Sequence, residues 1–219
     1  MNGTIEEIGK LLDLGKVTSL ELVISALKEI DNDEGQGQTT FTKTYADQAK
    51  AQAIGIDKLR AEGLVLSPIA GMPISIKDLF DVAGETTMAG SRVRKNSAPA
   101  ARDAAIIKKL RSAGAILIGR TNMTEFAFSG LGINPHYGTP LNPWNRDEAR
   151  IPGGSSSGAA VSVTDNMAVA GIGTDTGGSV RIPSALCGLT GFKPTAARVS
   201  TSGAFPLSTT LDSIGPLAR

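Results

Sequence analysis

The stretch Met167-Ala-Val-Ala-Gly-Ile-Gly-Thr-Asp-Thr-Gly-Gly-Ser179 sets the reading of the whole chain. Met167–Gly171 is a short apolar run bounded by glycines and reads as a buried strand. Gly173–Ser179 reads as a tight glycine loop leaving it. Glycines let the backbone turn until successive N–H groups converge on one point, a nest suited to an anion. Ser179 stands at the end of that nest, where a nucleophile would sit beside its own oxyanion hole. A phosphate- or anion-binding loop is the alternative reading of the same residues. Pro183 suits the first turn of a following helix.

Working outward, the same alternation recurs. Ser156–Asp165 predicts a helix before the strand. Ala115-Ile-Leu-Ile-Gly119 and Pro73-Ile-Ser-Ile-Lys77 predict two more short strands. Between them, Asp103 is expected to cap a helix through Ser112, with Gly114 ending it. Residues 4–31 predict two amphipathic helices, the second opened by the capping box Thr18-Ser-Leu-Glu21. Residues 43–62, rich in Ala, Lys and Gln, predict a helix stopped by Gly63. A short helix is expected near Thr124–Phe128. Residues 78–102 and 129–154 read as loops, and the chain from Thr190 as strand and loop. Strands alternating with helices argue an α/β fold, with helices on the faces of a sheet. The 219 residues are expected to form one domain, with the helical segment 1–63 packed on it.

Composition narrows the function classes. A formal net charge of +1 gives no reason to expect nucleic acid or an anionic membrane as partner. No run of about 18 apolar residues predicts a membrane span, and the acidic start does not read as a secretory signal. Cys187 is the only cysteine and His136 the only histidine, which argues against a disulfide and against a His/Cys metal centre. A lone reduced thiol fits a cytoplasmic protein. No cofactor and no metal are expected.

Two further segments join the glycine loop. Pro152-Gly-Gly-Ser155-Ser-Ser-Gly158 opens a helix, and alone it reads as an N-cap. Gly71-Met-Pro-Ile-Ser-Ile-Lys77-Asp puts a lysine on an apolar strand, where it usually reaches solvent. Taken together they suggest chemistry. Serine needs a base to act as a nucleophile, this chain has almost no histidine, and Ser–Lys variants of the catalytic triad exist. Lysine serves as base only when neutral, so burial must lower its pKa, and the Ile-Ser-Ile-Lys strand offers the apolar setting.

These segments resemble the amidase signature family of amide hydrolases. The likeness rests on GGSSSG followed by GTDTGGS-x-R-x-P, with Ser155 and Ser179 separated by 179 − 155 = 24 residues. Arg120-Thr-Asn-Met-Thr-Glu-Phe, Asn142-Pro-Trp144 and Gly191-Phe-Lys-Pro-Thr195 are similar to further blocks of that family, in the same order. The resemblance implies a mixed central β-sheet covered by helices on both faces. It implies Ser179 as acyl-enzyme nucleophile, Ser155 as bridging serine after a cis peptide, and Lys77 as base. Thr176, Gly177, Gly178 and Ser179 would offer oxyanion N–H groups, and Ala127–Ser129, with Ala127 and Ser129 at its ends, would line the acyl entrance. The substrate would be a small-molecule amide. The assembly would be a free-standing amidase, as a homodimer for instance, or the amide-hydrolysing subunit of a glutamine-dependent amidotransferase with partner subunits. Family members continue past the Leu211–Arg219 segment, so the chain reads as truncated and is expected to aggregate or be inactive alone.

Other motifs are set aside. Gly154-Ser-Ser156-Ser-Gly158 matches the nucleophile elbow, but that fold needs a histidine after the serine, and His136 precedes it. Gly171-Ile-Gly173 approaches a dinucleotide fingerprint, yet Thr176 replaces its third glycine. Ser25-Ala-Leu-Lys28 lies on an amphipathic helix. Cys187 reads as a small buried side chain, His136 as surface or structural, and Arg181 as a hydrogen-bond donor beneath the glycine loop.

Overall fold

A computed structural model describes residues 3–219. Six strands form one mixed sheet in the order β1-β3-β2-β4-β6-β5. They are β1 (Phe41–Thr44), β2 (Pro73–Lys77), β3 (Ile116–Thr121), β4 (Ala170–Asp175), β5 (Thr190–Gly191) and β6 (Ser213–Ala218). β2 runs parallel to β3 and β4, while the outer pairings are antiparallel. The helices are α1 (Ile5–Asp13), α2 (Ser19–Ile30), α3 (Gly37–Thr40), α4 (Ala46–Ala61), α5 (Ala105–Ser112), α6 (Ser157–Thr164) and α7 (Arg181–Cys187).

Strand alternation divides the core. Leu117 of β3, with Ile74 and Ile76 of β2, packs with Ile8 and Leu12 of α1 and Ile107 and Leu110 of α5. Ile116 and Ile118 point the other way, onto Val23, Ala26 and Leu27 of α2 and Ala49 and Ala53 of α4. Helices therefore cover both faces, as the resemblance implies. α1 and α2 each open on a capping box, Thr4 with Glu7 and Thr18 with Glu21. Each box satisfies N–H groups that a helix start leaves unpaired.

Four sequence expectations are corrected. The chain expected to be helical from residue 43 starts as edge strand β1, because Phe41–Thr44 pairs with β3, and the helix begins at Ala46. Asp103 does not cap α5, whose N-cap is Ala104. Its carboxylate accepts the Ala83 N–H at 2.8 Å and pairs with Arg111 instead. The helix expected near Thr124–Phe128 is cut to one 3-10 turn, Glu125–Ala127, with Phe126 and Ala127 both at positive φ. The fourth concerns β4, which lies three residues later than expected. The Met167 and Ala168 N–H groups bond back to Ser162 O, so the strand starts only at Ala170. It runs on through Gly173 because β6 pairs along it. A Cβ at Gly173 would lie 2.5 Å from Ser156 Oγ, so this glycine serves close packing against the α6 entry rather than a turn.

β2 and β4 are parallel neighbours, so Lys77 and the Thr174–Asp175 pair emerge at the same carboxyl end of the sheet. That is where open α/β sheets place their ligand sites.

Candidate active site

Lys77 is the last residue of β2 and is wholly buried. Its Nζ donates to Ser155 Oγ at 2.7 Å and to Thr174 Oγ1 at 2.9 Å. Burial brings its pKa down from 10.5 to about 7, against the opposing charges of Asp175 and Asp212. A large fraction of this lysine is therefore neutral near pH 7, as a base requires.

Ser155 is also wholly buried, in the turn that enters α6, and follows a cis Gly154–Ser155 peptide. Its carbonyl accepts the Thr124 N–H at 3.1 Å, and the Gly154 N–H donates to Gly130 O at 2.8 Å. Ser156 N donates to Ser179 O at 3.3 Å, which ties this turn to the glycine loop. The Lys77–Ser155 bond is formed, whereas no hydrogen bond joins the Ser155 and Ser179 hydroxyls among the described residues.

Ser179 opens onto a cavity of about 300 Å³. It is lined by Ala127–Gly130, by Thr176, Gly177, Ser179 and Ile182, and by Leu207. Thus Ala127, Ser129, Thr176, Gly177 and Ser179, named from the sequence, share one cavity. Gly178 departs from the expectation. Its N–H donates to Asp175 Oδ1 at 2.9 Å, so it is not free to face a substrate. Among the described residues the N–H groups of Thr176, Gly177 and Ser179 have no acceptor.

Asp175 organises the loop from beneath. Its carboxylate takes the N–H groups of Gly178, Val180 and Arg181 and the Arg181 guanidinium. Burial alone would raise its pKa; these hydrogen bonds, the Arg181 side chain first among them, lower it overall. Arg181 is therefore a donor to the loop, as expected. Sequence reading missed two partners. Thr174 lies on a strand whose register was misplaced, and Asp212 lies far along the chain from the loop it contacts through Thr176 Oγ1.

Cys187 is buried, with its thiol at 3.3 Å from Pro152 O. His136 is half-buried and its Nε2 meets Glu125 Oε1 at 2.9 Å. Among the described residues no group of three His, Cys, Asp or Glu side chains could hold a metal. No helix among them is long and apolar enough to cross a membrane.

The model of the Amidase family matches residues 21–219, and the chain belongs to that family. It is 41% identical over 204 residues to AtzE, a 1-carboxybiuret hydrolase subunit of Pseudomonas sp. (strain ADP), covering 93% of this chain and 44% of that protein. It is 40% identical over 215 residues to a glutamyl-tRNA(Gln) amidotransferase subunit of Synechococcus sp. (strain CC9605), covering 98% and 43%. Among solved structures, the native peptide amidase of Stenotrophomonas maltophilia superposes with a TM-score of 0.87 at 33% identity, covering 100% of this chain and 45% of that one. A structure described as a vestigial protein complex bearing on the origins of an s-triazine catabolic enzyme gives 0.92 at 39% identity, covering 99% and 47%. The chain spans less than half the length of these relatives.

Proposed function

We propose that the protein hydrolyses the C–N bond of a small carboxylic amide through an acyl-enzyme on Ser179. The observation that carries this reading is Lys77, wholly buried, with a pKa near 7 and in direct hydrogen bond with Ser155. Ser179 Oγ attacks the amide carbonyl carbon, and its proton passes through the Ser155 hydroxyl to Lys77 Nζ. The carbonyl oxygen becomes an oxyanion facing the N–H groups of Thr176, Gly177 and Ser179. The proton returns by the same path to the leaving nitrogen, the C–N bond breaks, and ammonia or an amine departs. Water then repeats the sequence on the ester, releasing the acid and restoring Ser179. The Ser155–Ser179 hydroxyl contact is expected to close when substrate fills the cavity, since catalytic bonds often tighten only in the bound complex.

A second reading has a specific support. Two of the relatives are named as subunits, one of them of an amidotransferase, so the same chemistry could supply ammonia to a partner. The unpaired Cys187 supports a reducing, cytoplasmic setting for either.

The test uses a fluorophosphonate probe on the full chain. Ser179→Ala is expected to abolish labelling; labelling that persists at Ser156 or Cys187 would overturn the assignment. Aliphatic, aromatic and amino-acid amides, glutamine included, then separate the two readings. Ammonia release from glutamine alone, dependent on an added partner protein, marks the amidotransferase.

A further inference from the structure

We propose that Asp212 is a positioning residue for the oxyanion cradle: through the Thr176 hydroxyl and the Leu207 amide it ties the glycine loop to the Leu207 segment of the cavity lining. This rests on the acyl-enzyme reading of Ser179.

Asp212 immediately precedes β6, whose Ser213 lies opposite Asp175 of β4. That register sets the Asp212 carboxylate against Thr176, the first residue past the strand. Oδ1 accepts the Thr176 hydroxyl in a short bond. Oδ2 accepts the Leu207 N–H at 2.9 Å, and both oxygens receive the Ser208 N–H. Thr176 and Leu207 both line the cavity at Ser179. One carboxylate thus holds two of the residues that line the cavity.

Two acids therefore divide the loop between them. Asp175 takes the N–H groups of Gly178, Val180 and Arg181. Asp212 takes only a side-chain hydroxyl from the loop, at Thr176. The backbone N–H groups of Thr176, Gly177 and Ser179 are left pointing elsewhere, while the residues bearing them are anchored from below and from the side. A cradle of fixed dipoles needs this arrangement, because donors that reorient at the moment of reaction lose much of their effect. Gly177 has no side chain and is exposed, so nothing within the loop itself holds that peptide. Asp212 also carries charge toward the base: with Asp175 it raises the Lys77 pKa against burial. Of the other charged groups at this end of the sheet, Arg181 is paired with Asp175 and Asp78 with Arg120.

The experiment measures fluorophosphonate labelling of the full chain against pH, resolved into kinact and KI. In that reaction the Ser179 Oγ–P bond forms, the P–F bond breaks, fluoride leaves, and the hydroxyl proton passes to Lys77. Thr176→Val cuts the tie and leaves the charge. It should lower kinact about ten- to a hundredfold, with KI and the acid limb unchanged. Thr176→Ser keeps the hydroxyl and should recover most of the rate. Asp212→Asn should lower kinact and also move the acid limb to lower pH, since Lys77 loses an opposing charge. Thr176 is only half-buried, so its variants test the idea even if Asp212→Asn fails to fold. Labelling of Thr176→Val at the wild-type rate, or of Thr176→Ser as slow as Thr176→Val, overturns the proposal. So does a slow Asp212→Asn whose acid limb has not moved. Loss of labelling in Ser179→Ala alongside any of these outcomes leaves the nucleophile standing and removes only the role of Asp212. Labelling of Ser179→Ala overturns the parent reading.

Discussion

Replacing Lys77 with Met should make the protein far less active and, at neutral pH, more stable. Lys77 is wholly buried, and its pKa falls from 10.5 to about 7 on folding. Between those values the unfolded lysine is protonated and the folded one is largely neutral. The unfolded state then binds more protons, so stability rises with pH through this window. Below about pH 7 both states are protonated, and the full cost of the buried charge applies. The shift is 10.5 − 7 = 3.5 units, equivalent to about 5 kcal/mol of stability withheld at low pH. Integrated from pH 7 to pH 9, the relief for this one group is about 2 kcal/mol. In Lys77→Met, which keeps an unbranched apolar stem, that component of the slope should vanish. Urea unfolding of both proteins at pH 7, 8 and 9 isolates it as a difference, since all other titrating groups are common to the pair. The variant should gain on the wild type at pH 7 and lose about half of that gain by pH 9. Activity of the wild type should rise through the same pKa, because the proposed base is the neutral lysine. The variant should lose roughly 10²- to 10⁴-fold, the usual worth of a positioned base. Parallel stability slopes, or a wild-type acid limb far from pH 7, would refute a lysine neutralised by burial.

Two further outcomes follow from buried groups outside the cavity. Arg120 and Asp78 form a buried pair at 2.8 Å, and Arg120 also donates to the Asp78 and Phe80 carbonyls. Arg120→Met strands a buried carboxylate and should cost about 3–5 kcal/mol in urea unfolding; a loss under about 1 kcal/mol would show that water reaches the site. The Cys187 thiol is pushed up to about 12, chiefly by burial. Iodoacetamide should therefore leave it unmodified at pH 8 until denaturant is added, and rapid modification of the native protein would contradict its packing.

What could be read from the sequence was what is encoded locally. Pro73–Lys77 is a strand in both readings because its apolar run is short and bounded by a turn, and Thr18 caps α2 because a capping box needs only four residues. Lys77, Ser155 and Ser179 stand out only in combination, since alone the Ser155 turn reads as a helix N-cap and the Lys77 strand end as a charge reaching solvent. The errors lie where a distant partner decides. Phe41–Thr44 is a strand only because β3 offers an edge to it. Asp103 is drawn off the α5 cap by the Ala83 amide and by Arg111. β4 begins late because Ser162 O holds the Met167 and Ala168 amides in the helix exit.

Thr174 and Asp212 escaped notice by the same logic, and they show how the site depends on the sheet. A three-residue shift in β4 changes which residues stand at its carboxyl end, and with it whether Thr174 or a loop atom meets Lys77 Nζ. The register of β6 on β4, with Ser213 opposite Asp175, then fixes which carboxylate faces Thr176. Side chains alternate along a strand, so a slip of one residue between β4 and β6 would turn Asp212 away from the loop. The glycines Gly173 and Gly215 pair across those two strands, and a Cβ at Gly215 would run into Phe192 O. The β6 register is thus held by close backbone approach on its far side as well as by hydrogen bonds to β4. On the proposed mechanism, residues outside the cavity thus set the position of the oxyanion cradle.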